Sequence, residues 1–247
     1  MPKVLIVVPC YNEAARLSAP GFAPLWQHAL VELLFVDDGS QDDTARVLRS
    51  LCETSAGRAS HISLAKNQGK GEAVRQGMLH ALERAPEVVG YIDADLSTPA
   101  SEVLRLVDAI QQTRAAAVIA SRVVHLGANI RRRPWRHYLG RVFATAASIT
   151  LGVPVYDTQC GAKLFRVTPT LREALRTPFA SRWAFDVELL GRLLAAKQAV
   201  DARLIEVPIR EWIDAPGSKL GAGSMVRAGL DLVSIGIRLR RQRDRKP

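Results

Sequence analysis

The sequence is poor in cysteine and in aromatic residues, and both shortages exclude classes of protein. Its three cysteines, Cys10, Cys52 and Cys160, are odd in number and show no C-x-x-C spacing. This argues against a disulfide framework or a zinc site and predicts a reducing compartment. Aromatic residues make up only 6% of the chain, and no recognisable nucleic-acid-binding motif is present. We therefore expect no nucleic-acid partner.

Long apolar runs are also absent. The stretch from Val142 to Tyr156 carries no charge, but its fifteen residues fall short of the roughly 20 that a helix needs to span a bilayer. The first strand candidate, Lys3 to Val8, begins almost at the first residue, so we expect no signal peptide. The 247 residues are enough for one domain with a large core and a tail.

The basic charge of the chain, formally +10, is concentrated in two segments. Arg131 to Arg141 holds five arginines and no acid, and Arg238 to Pro247 holds six basic residues and one acid. Without these two segments, the 34 basic and 24 acidic residues fall to 23 of each. Localised positive charge indicates an anionic partner, either nucleic acid or a membrane surface. The sparse aromatic residues favour the membrane.

The first half of the chain alternates β-rich runs with helical patterns. The strand candidates are Val4–Val8, Leu33–Val36, His61–Leu64, Val88–Ile92 and Ala117–Ala120, and the helical stretches between them are Asp42–Cys52, Gly71–Arg84 and Ala100–Thr113. This alternation predicts an α/β fold with a mostly parallel sheet and helices on both faces. In the second half, Ala162–Arg166 and Leu204–Val207 are typical of strands, and Ala184–Ala196 is typical of a helix.

Two apolar segments with basic ends lie in the second half. Arg131 to Gly152 has apolar residues at helical spacing and arginines at its start, which predicts a basic amphipathic helix. We interpret it as a helix at a membrane interface, with a buried core helix as the alternative. Met225 to Leu239 is again mostly apolar and runs into the basic tail.

Polar residues follow three of the strand candidates, at the sheet edge where ligands bind in such folds. They are Pro9-Cys-Tyr-Asn-Glu13, Asp37-Asp-Gly-Ser40 and Asp93-Ala-Asp95. In an extended segment Asp93 and Asp95 would point the same way, with Cα atoms about 6.6 Å apart. A divalent cation that prefers oxygen ligands would satisfy both, with Asp95 as the direct ligand and Asp93 holding metal or ribose. The alternative is a turn and helix cap, with Pro99 opening the helix.

The segment Lys66-Asn-Gln-Gly-Lys-Gly71 is a second candidate for binding anions. It opens a helix, so its backbone amides and two lysines can meet anionic groups. Its glycines do not have the spacing of a dinucleotide fingerprint, and no P-loop is present. Asp37 and Asp38 would point to opposite sides of a continuing strand, so only one of them can face a ribose hydroxyl or a base N–H.

Taken together in this order, these segments resemble the glycosyltransferase family 2 domain, which has the GT-A fold. Further on, Asp157-Thr-Gln-Cys-Gly-Ala-Lys-Leu-Phe165, Arg182-Trp-Ala-Phe-Asp-Val-Glu-Leu-Leu190 and Gly217-Ser-Lys-Leu220 resemble its dolichyl-phosphate β-glucosyltransferase branch. The resemblance covers nearly the whole chain. The sequence departs from the eukaryotic members in two respects: we expect no counterpart of the membrane anchor with which they begin, and the segment between Glu13 and Leu33 is short and contains Pro20 and Pro24.

The resemblance implies a Rossmann-like, mostly parallel sheet and a division of the chain. We expect one GT-A domain over residues 1–224, with a nucleotide-binding half (1–120) and an acceptor and sugar half (121–224). Residues 225–247 would form a C-terminal amphipathic helix and basic tail.

The resemblance also implies roles for single residues. The positions around the nucleotide match Pro9, Tyr11, Glu13 and Asp37, to which we add Asp38, Lys70 and Ala94. The metal motif matches Asp93 and Asp95, and a loop over the diphosphate matches Ser218 and Lys219. A strand that faces the sugar and the acceptor phosphate matches Asp157 and Gln159. Arg122 matches an arginine that faces phosphates, and Arg136 matches a second one, with Arg133 or Arg141 as its alternatives. Lys163 and Glu188 lie in the two longer segments that carry the resemblance, and the alternative to a role in the site is a solvated side chain.

The reaction that the resemblance implies is transfer of glucose from UDP-glucose to a polyprenyl phosphate, with Mg²⁺ or Mn²⁺. The acceptor phosphate is mostly ionised at neutral pH, so no strong general base is needed, and in-line attack inverts the anomeric configuration. GDP-mannose, another sugar nucleotide or a soluble acceptor are alternatives. We expect a protein on the cytoplasmic face of an anionic membrane.

Overall fold

The computed structural model describes residues 3–123, 126–127, 129–131, 134–195, 203–213, 229 and 231–240, with side chains for all of these except 131, 134–139 and 213. Ser218, Lys219 and the tail 241–247 therefore lie outside the described residues. In chain order the elements are β1 (Val4–Cys10), α1 (Ala19–Trp26), β2 (Val31–Asp37), α2 (Thr44–Thr54), β3 (Ala59–Ser63), α3 (Lys70–Leu82), β4 (Val88–Ile92), α4 (Ala100–Gln112), β5 (Ala117–Ser121), β6 (Asn129–Arg131), α5 (Pro134–Leu151), β7 (Ala162–Arg166), α6 (Pro169–Arg176), α7 (Phe185–Leu194), β8 (Leu204–Pro208), β9 (Glu211–Ile213) and a C-terminal helix α8 over residues 231–240.

Seven strands form one sheet, in the order β3-β2-β1-β4-β7-β5-β8. Neighbouring strands are parallel, except that β7 runs antiparallel to both β4 and β5. The central strands β1 and β4 are short apolar runs buried on both faces, which is the pattern of parallel sheets covered on both sides. The sheet confirms the predicted α/β fold. It also joins the two halves of the chain, because β7 from the second half lies between two strands of the first.

Helices cover both faces of the sheet, and each face has its own apolar core. On one face α1, α2 and α4 contribute residues such as Phe22, Leu48 and Leu106. On the other face lie α3, α5, α6, α7 and α8. Successive residues of β1 alternate between the two cores, Ile6 in the first and Val7 in the second, as the pleat of a strand requires.

Helix α5 is neither wholly interfacial nor wholly a core helix. Ala144, Ala147 and Leu151 are buried in the second core, whereas Val142 and Ile149 are 69% and 76% exposed. The alternative of a core helix therefore holds for one face only. In α8, Leu232, Ile235 and Leu239 are buried in the same core. Within the part of the chain that the structure describes, no helix has both the length and the apolar character needed to cross a membrane.

Helix α1 is a feature that the sequence pattern does not predict, because Pro20 and Pro24 argue against a helix there. Pro20 lies in the first turn, where a missing N–H removes no intrahelical hydrogen bond. Phe22, Leu25 and Trp26 are buried, so packing on the sheet stabilises this short helix. The strand boundaries also differ by one or two residues from the prediction, as β3 begins at Ala59 rather than His61.

Candidate active site

The carboxyl ends of β1 and β2 are locked together by hydrogen bonds between the two segments that follow them. The N–H of Asp38 donates to the carbonyl of Cys10 over 2.8 Å. The N–H of Asn12 donates to Oγ of Ser40 over 3.0 Å, and Oδ1 of Asn12 accepts from the N–H of Gln41 over 2.9 Å. Tyr11 lies beside this junction and is 42% exposed. Together these segments form a fixed platform at one side of the sheet edge.

Asp37 and Asp38 are both buried, and each holds a piece of backbone. Oδ1 of Asp37 accepts from the N–H of Ser40 over 2.9 Å. Both oxygens of Asp38 accept backbone N–H groups, from Gln68 and Gly69, each over 2.8 Å. Asp38 therefore fixes the loop that precedes α3, and a direct contact of either carboxylate with a nucleotide stays a prediction.

The segment Asp93–Asp95 departs from the extended geometry that the sequence suggests. β4 ends at Ile92, and the chain turns at once, with a hydrogen bond of 3.2 Å from the N–H of Leu96 to the carbonyl of Asp93. The prediction that Asp93 and Asp95 belong to one extended segment is therefore wrong. Oδ1 of Asp95 accepts from the N–H of Ser97 over 2.9 Å, so the alternative of a turn is confirmed, whereas α4 begins after Pro99 without a side-chain cap.

Asp93 is held in place by the chain segment that leads into β7. Its N–H donates to the carbonyl of Gly161 over 3.0 Å. A Cβ atom on Gly161 would overlap the carboxylate of Asp93, whose Oδ2 is its nearest neighbour. Only glycine at position 161 therefore leaves room for this carboxylate where it stands.

The charges at this edge act on the protonation of Glu13. Burial raises the pKa of Glu13, and the charges of Asp95 and Asp93 raise it further, while Arg16 opposes the shift. Arg16 forms two hydrogen bonds of 2.6 Å to the carboxylate of Glu13. Glu13 follows β1, and Asp93 and Asp95 follow its parallel neighbour β4. The three acids therefore share one edge of the sheet, which we call the acidic rim.

Lys70, the first residue of α3, supplies a positive charge to the acidic rim. Its ammonium group is paired with Oδ1 of Asp93. Burial alone would lower the pKa of Lys70, but Asp93, Asp186 and Asp95 raise it above its ordinary value. The ammonium therefore stays charged at neutral pH and partly neutralises the rim.

The acidic rim fits a divalent ion that is bound together with an anionic ligand. Within the described ranges, no group of three or more His, Cys, Asp or Glu side chains could enclose a metal. Mg²⁺ and similar ions are commonly bound by only one or two carboxylates, with phosphate oxygens and water completing the shell. Asp93 and Asp95 supply that number, and the ammonium of Lys70 already occupies a cation position at Asp93.

The second half of the chain places an arginine near the rim. Nε and Nη2 of Arg122 donate to the carboxylate of Asp157 over 2.6 and 2.8 Å, and the guanidinium lies 5.2 Å from the ring centre of Trp212. Burial alone would lower the pKa of Arg122, but Asp157 holds it above its ordinary value. Asp157 therefore positions Arg122, and its direct contact with a substrate stays a prediction.

Glu206 on β8 supports this pair from behind, a role that the sequence does not predict. Its carboxylate accepts the N–H groups of Tyr156 and Asp157 over 2.8 and 2.9 Å. No local motif marks Glu206, because its role depends on β8 lying beside β5 in the sheet.

An open cleft lies between α5 and the segment before β7. It is lined by Arg122, Gly140, Arg141, Phe143, Ala144, Tyr156, Asp157, Thr158 and Gln159. Nη1 of Arg141 donates to the carbonyl of Tyr156 over 3.0 Å, and the guanidinium lies 3.9 Å from the ring centre of Tyr156. Arg136 belongs to the first part of α5, where side chains are not described, and Arg133 lies outside the described residues. Among the arginines whose side chains the structure describes, Arg122 and Arg141 line this cleft.

A buried polar network lies beneath the rim. Lys163 on β7 is fully buried, so the alternative of a solvated side chain is wrong. Its ammonium donates to Oδ1 of Asp186 over 2.8 Å and to the carbonyl of Cys160 over 2.5 Å, and the hydroxyl of Tyr91 also donates to Asp186. The alternation along β7 predicts this burial, since Lys163 shares a face with the core residue Phe165. Glu188 is also buried, and its carboxylate forms an ion pair with Arg192.

Three comparisons with known proteins bear on the chain. The sequence model of a family described as Glycosyl transferase family 2 matches residues 5–171. A curated relative from Saccharomyces cerevisiae, dolichyl-phosphate beta-glucosyltransferase, is 33% identical over 254 residues, which cover 93% of this chain and 73% of the relative. The Homo sapiens protein of the same name is 31% identical, covering 94% of this chain and 74% of its own.

Two solved structures resemble the fold. Glucosyl-3-phosphoglycerate synthase from Mycobacterium tuberculosis in complex with UDP has a TM-score of 0.66 and 23% identity, over 95% of this chain and 80% of that one. Mannosyltransferase PcManGT from Pyrobaculum calidifontis, in complex with GDP-Man and Mn²⁺, has a TM-score of 0.62 and 22% identity, over 97% and 64% of the two chains.

The network beneath the rim gives a prediction about stability. Replacing Lys163 by Met leaves the buried carboxylate of Asp186 without its cation, so we expect a loss of about 3–5 kcal/mol in the free energy of unfolding. The double variant Lys163→Met with Asp186→Asn removes both charges and should recover a large part of this loss. Denaturant titrations of the wild type and the three variants form the double-mutant cycle. A loss in the double variant equal to the sum of the two single losses would show that the ion pair is not coupled.

Proposed function

Since the chain belongs to glycosyltransferase family 2 and has the GT-A fold, we propose that it transfers glucose from UDP-glucose to a polyprenyl phosphate and inverts the anomeric carbon. The observation that carries the proposal is the acidic rim of Asp93 and Asp95 on the same sheet as a cleft lined by Arg122 and Arg141. The names of the curated relatives support the glucose donor and the lipid acceptor. The UDP complex of the similar fold supports the nucleotide.

The donor would lie across the ends of β1, β2 and β4. Pro9, Tyr11, Glu13 and Asp37 belong to the platform that would receive the nucleoside, and Ala94, nearly buried between the two acids, lets the chain pass close to the diphosphate. Asp93 and Asp95 would hold Mg²⁺ or Mn²⁺ at the diphosphate. When bound, such an ion neutralises charge on the leaving diphosphate. Lys70 adds a second positive charge there, and Ser218 and Lys219 are proposed to close over it.

The acceptor phosphate would enter the cleft beside α5. Asp157 engages Nε and Nη2 of Arg122 and so leaves Nη1 as a donor for a phosphate oxygen. Arg141 and the amide of Gln159 line the same cleft. Arginine side chains bind phosphate oxygens in a fixed, planar geometry. The role of Arg136 as a further phosphate ligand is proposed from the family resemblance.

The residues of the cleft bring two anions together and do not need to remove a proton. A phosphate monoester has a second pKa near 6 and is already mostly dianionic at neutral pH. One of its oxygens can attack the anomeric carbon from the face opposite the leaving diphosphate, which inverts the configuration. The work of the protein is therefore electrostatic: fixed cations offset the repulsion between the acceptor and the leaving group.

A lipid acceptor requires contact with a membrane, and α5 and α8 offer a surface for it. Val142 and Ile149 on α5, and Val233 and Ile237 on α8, are exposed apolar residues. Gly236 of α8 faces Thr150 of α5, so the two helices are neighbours. Arg238 and Arg240 on α8 are exposed, and cations near an anionic leaflet contribute about 1 kcal/mol each. We propose peripheral attachment at the cytoplasmic face.

GDP-mannose as donor and a soluble phosphorylated acceptor are the alternatives. GDP-mannose is supported by the GDP-Man complex of the similar PcManGT fold, and a soluble acceptor is supported by the name of glucosyl-3-phosphoglycerate synthase. Both would use the same rim and the same cleft.

The proposed reaction is tested with purified protein, Mn²⁺, a nucleotide sugar labelled in the sugar, and polyprenyl phosphate in detergent. We expect label from UDP-glucose to enter the organic phase. Asp95→Asn should lower the rate by about 100-fold or more, a loss typical of removing one electrostatic group from an active site. Asp43→Asn changes an exposed aspartate and should have no effect.

Parallel reactions separate the alternatives. If GDP-mannose is used and UDP-glucose is not, GDP-mannose is the donor. If the sugar is transferred to 3-phosphoglycerate and not to the lipid, the acceptor is a soluble phosphate ester. No transfer to any acceptor, or equal rates in the wild type and Asp95→Asn, would contradict the proposal.

Attachment to the membrane is tested by replacing Val142 and Ile149 together with aspartate. Because these residues are 69% and 76% exposed, the fold should be kept, while two charges on the apolar face should oppose insertion at the interface. In sedimentation with liposomes of anionic and neutral phospholipid, we expect a clear fall in the bound fraction. Leu126, fully exposed outside α5 and α8, provides the control variant Leu126→Asp. Equal binding of the double variant and the wild type would show that this surface does not attach the protein to membranes.

A further inference from the structure

Lys70 occupies a position at the acidic rim that a metal ion would need. Both oxygens of Asp93 lie close to Gly161, but Oδ1 is the buried one and faces the ammonium of Lys70. A divalent ion that takes both oxygens must therefore displace this ammonium, and one held by Oδ2 alone lies beside a charge of its own sign.

The position of Lys70 is built into the fold. The loop before α3 is held by both oxygens of Asp38, and α3 begins at Lys70 itself. Gly39 allows this loop to approach, because a Cβ atom there would lie 2.6 Å from the backbone of Lys66. The root of the lysine is therefore fixed, whereas its side chain is 43% exposed and ends in a compact charge on a flexible four-carbon stem.

We propose that Lys70 is a built-in counter-ion that holds Asp93 while no donor is bound and moves to the diphosphate when nucleotide and metal enter together. The inference rests on the proposed function, since it needs a donor with a diphosphate and a divalent ion. The ammonium neutralises Asp93 in the empty site. A divalent ion at Asp93 repels the ammonium, and the diphosphate offers it a new anionic partner within reach of the same stem.

This exchange couples metal binding to nucleotide binding. Metal alone must displace Lys70 and gains nothing in return, so it binds weakly. With the nucleotide present, the displaced ammonium forms a new ion pair, so each ligand strengthens the binding of the other by the same factor. Couplings between two ligands typically amount to 5- to 150-fold. The site would then be filled by the metal–nucleotide pair rather than by either alone.

The test is a thermodynamic cycle for Mn²⁺ and UDP. The Kd of Mn²⁺ is measured from the electron paramagnetic resonance signal of free Mn²⁺, without UDP and at saturating UDP, and the ratio of the two constants is the coupling factor. In Lys70→Met, we expect Mn²⁺ alone to bind about fivefold or more tightly than in the wild type. The coupling factor should fall by a similar amount or more. UDP alone should bind less well.

Two variants separate direct exchange from general electrostatics. Lys66→Met removes a charge from the same loop, but Lys66 is exposed and is not the partner of Asp93, so its coupling factor should stay within about twofold of the wild type. Lys70→Arg keeps a cation at the position and should keep most of the coupling.

Each outcome of the cycle supports or overturns the proposal. Unchanged Mn²⁺ affinity in Lys70→Met, together with an unchanged coupling factor, would overturn the exchange and leave Lys70 as a simple phosphate ligand. Equal effects of Lys66→Met and Lys70→Met would overturn it in favour of long-range charge. If the wild type bound neither Mn²⁺ nor UDP, the proposed function itself would fail, and that result cannot be confused with the others.

Discussion

The contact between Asp93 and Gly161 is the constraint on which the site depends. Asp93 directly follows β4, and Gly161 precedes β7, the one strand of the seven-stranded sheet that runs against its neighbours. The backbone hydrogen bond between them and the missing Cβ of Gly161 bring the acidic rim against the segment that carries Asp157 and Gln159. The donor side and the acceptor side of the site are therefore joined within one rigid sheet.

The charges of the site are arranged in pairs that differ in how firmly they are held. Beneath the rim, Lys163 and Asp186 are buried and fixed by several hydrogen bonds. At the surface, Lys70 and Asp93 are paired but partly exposed. Acids concentrated on one edge are unfavourable unless cations offset them. A fixed pair below and an exchangeable pair above keep the fold stable and still leave the rim able to accept new ligands.

Much of the fold and the location of the site could be predicted from the sequence, because apolar runs followed by polar clusters indicate strand ends. The finer geometry could not. The extended arrangement of Asp93 and Asp95 is wrong because the chain turns directly after Ile92, and the sequence indicated a turn only as the alternative. Glu206 acts through β8, and the antiparallel position of β7 depends on contacts between distant parts of the chain. The burial of Lys163 was available from strand alternation, but a charged residue type argues against it.

The central claim is that Asp93, held against Gly161, seats a divalent ion beneath a nucleotide diphosphate. The most direct measurement is the Kd of Mn²⁺ in the presence of UDP for Gly161→Ala, with Gly236→Ala as the matched control, since a Cβ atom there would only come into ordinary van der Waals contact with Thr150. The account predicts that Gly161→Ala weakens Mn²⁺ binding at least about tenfold, because shifts in the groups that orient metal ligands typically cost 10- to 100-fold, while Gly236→Ala leaves it unchanged. A folded Gly161→Ala protein that binds Mn²⁺ and UDP as tightly as the wild type would contradict the account.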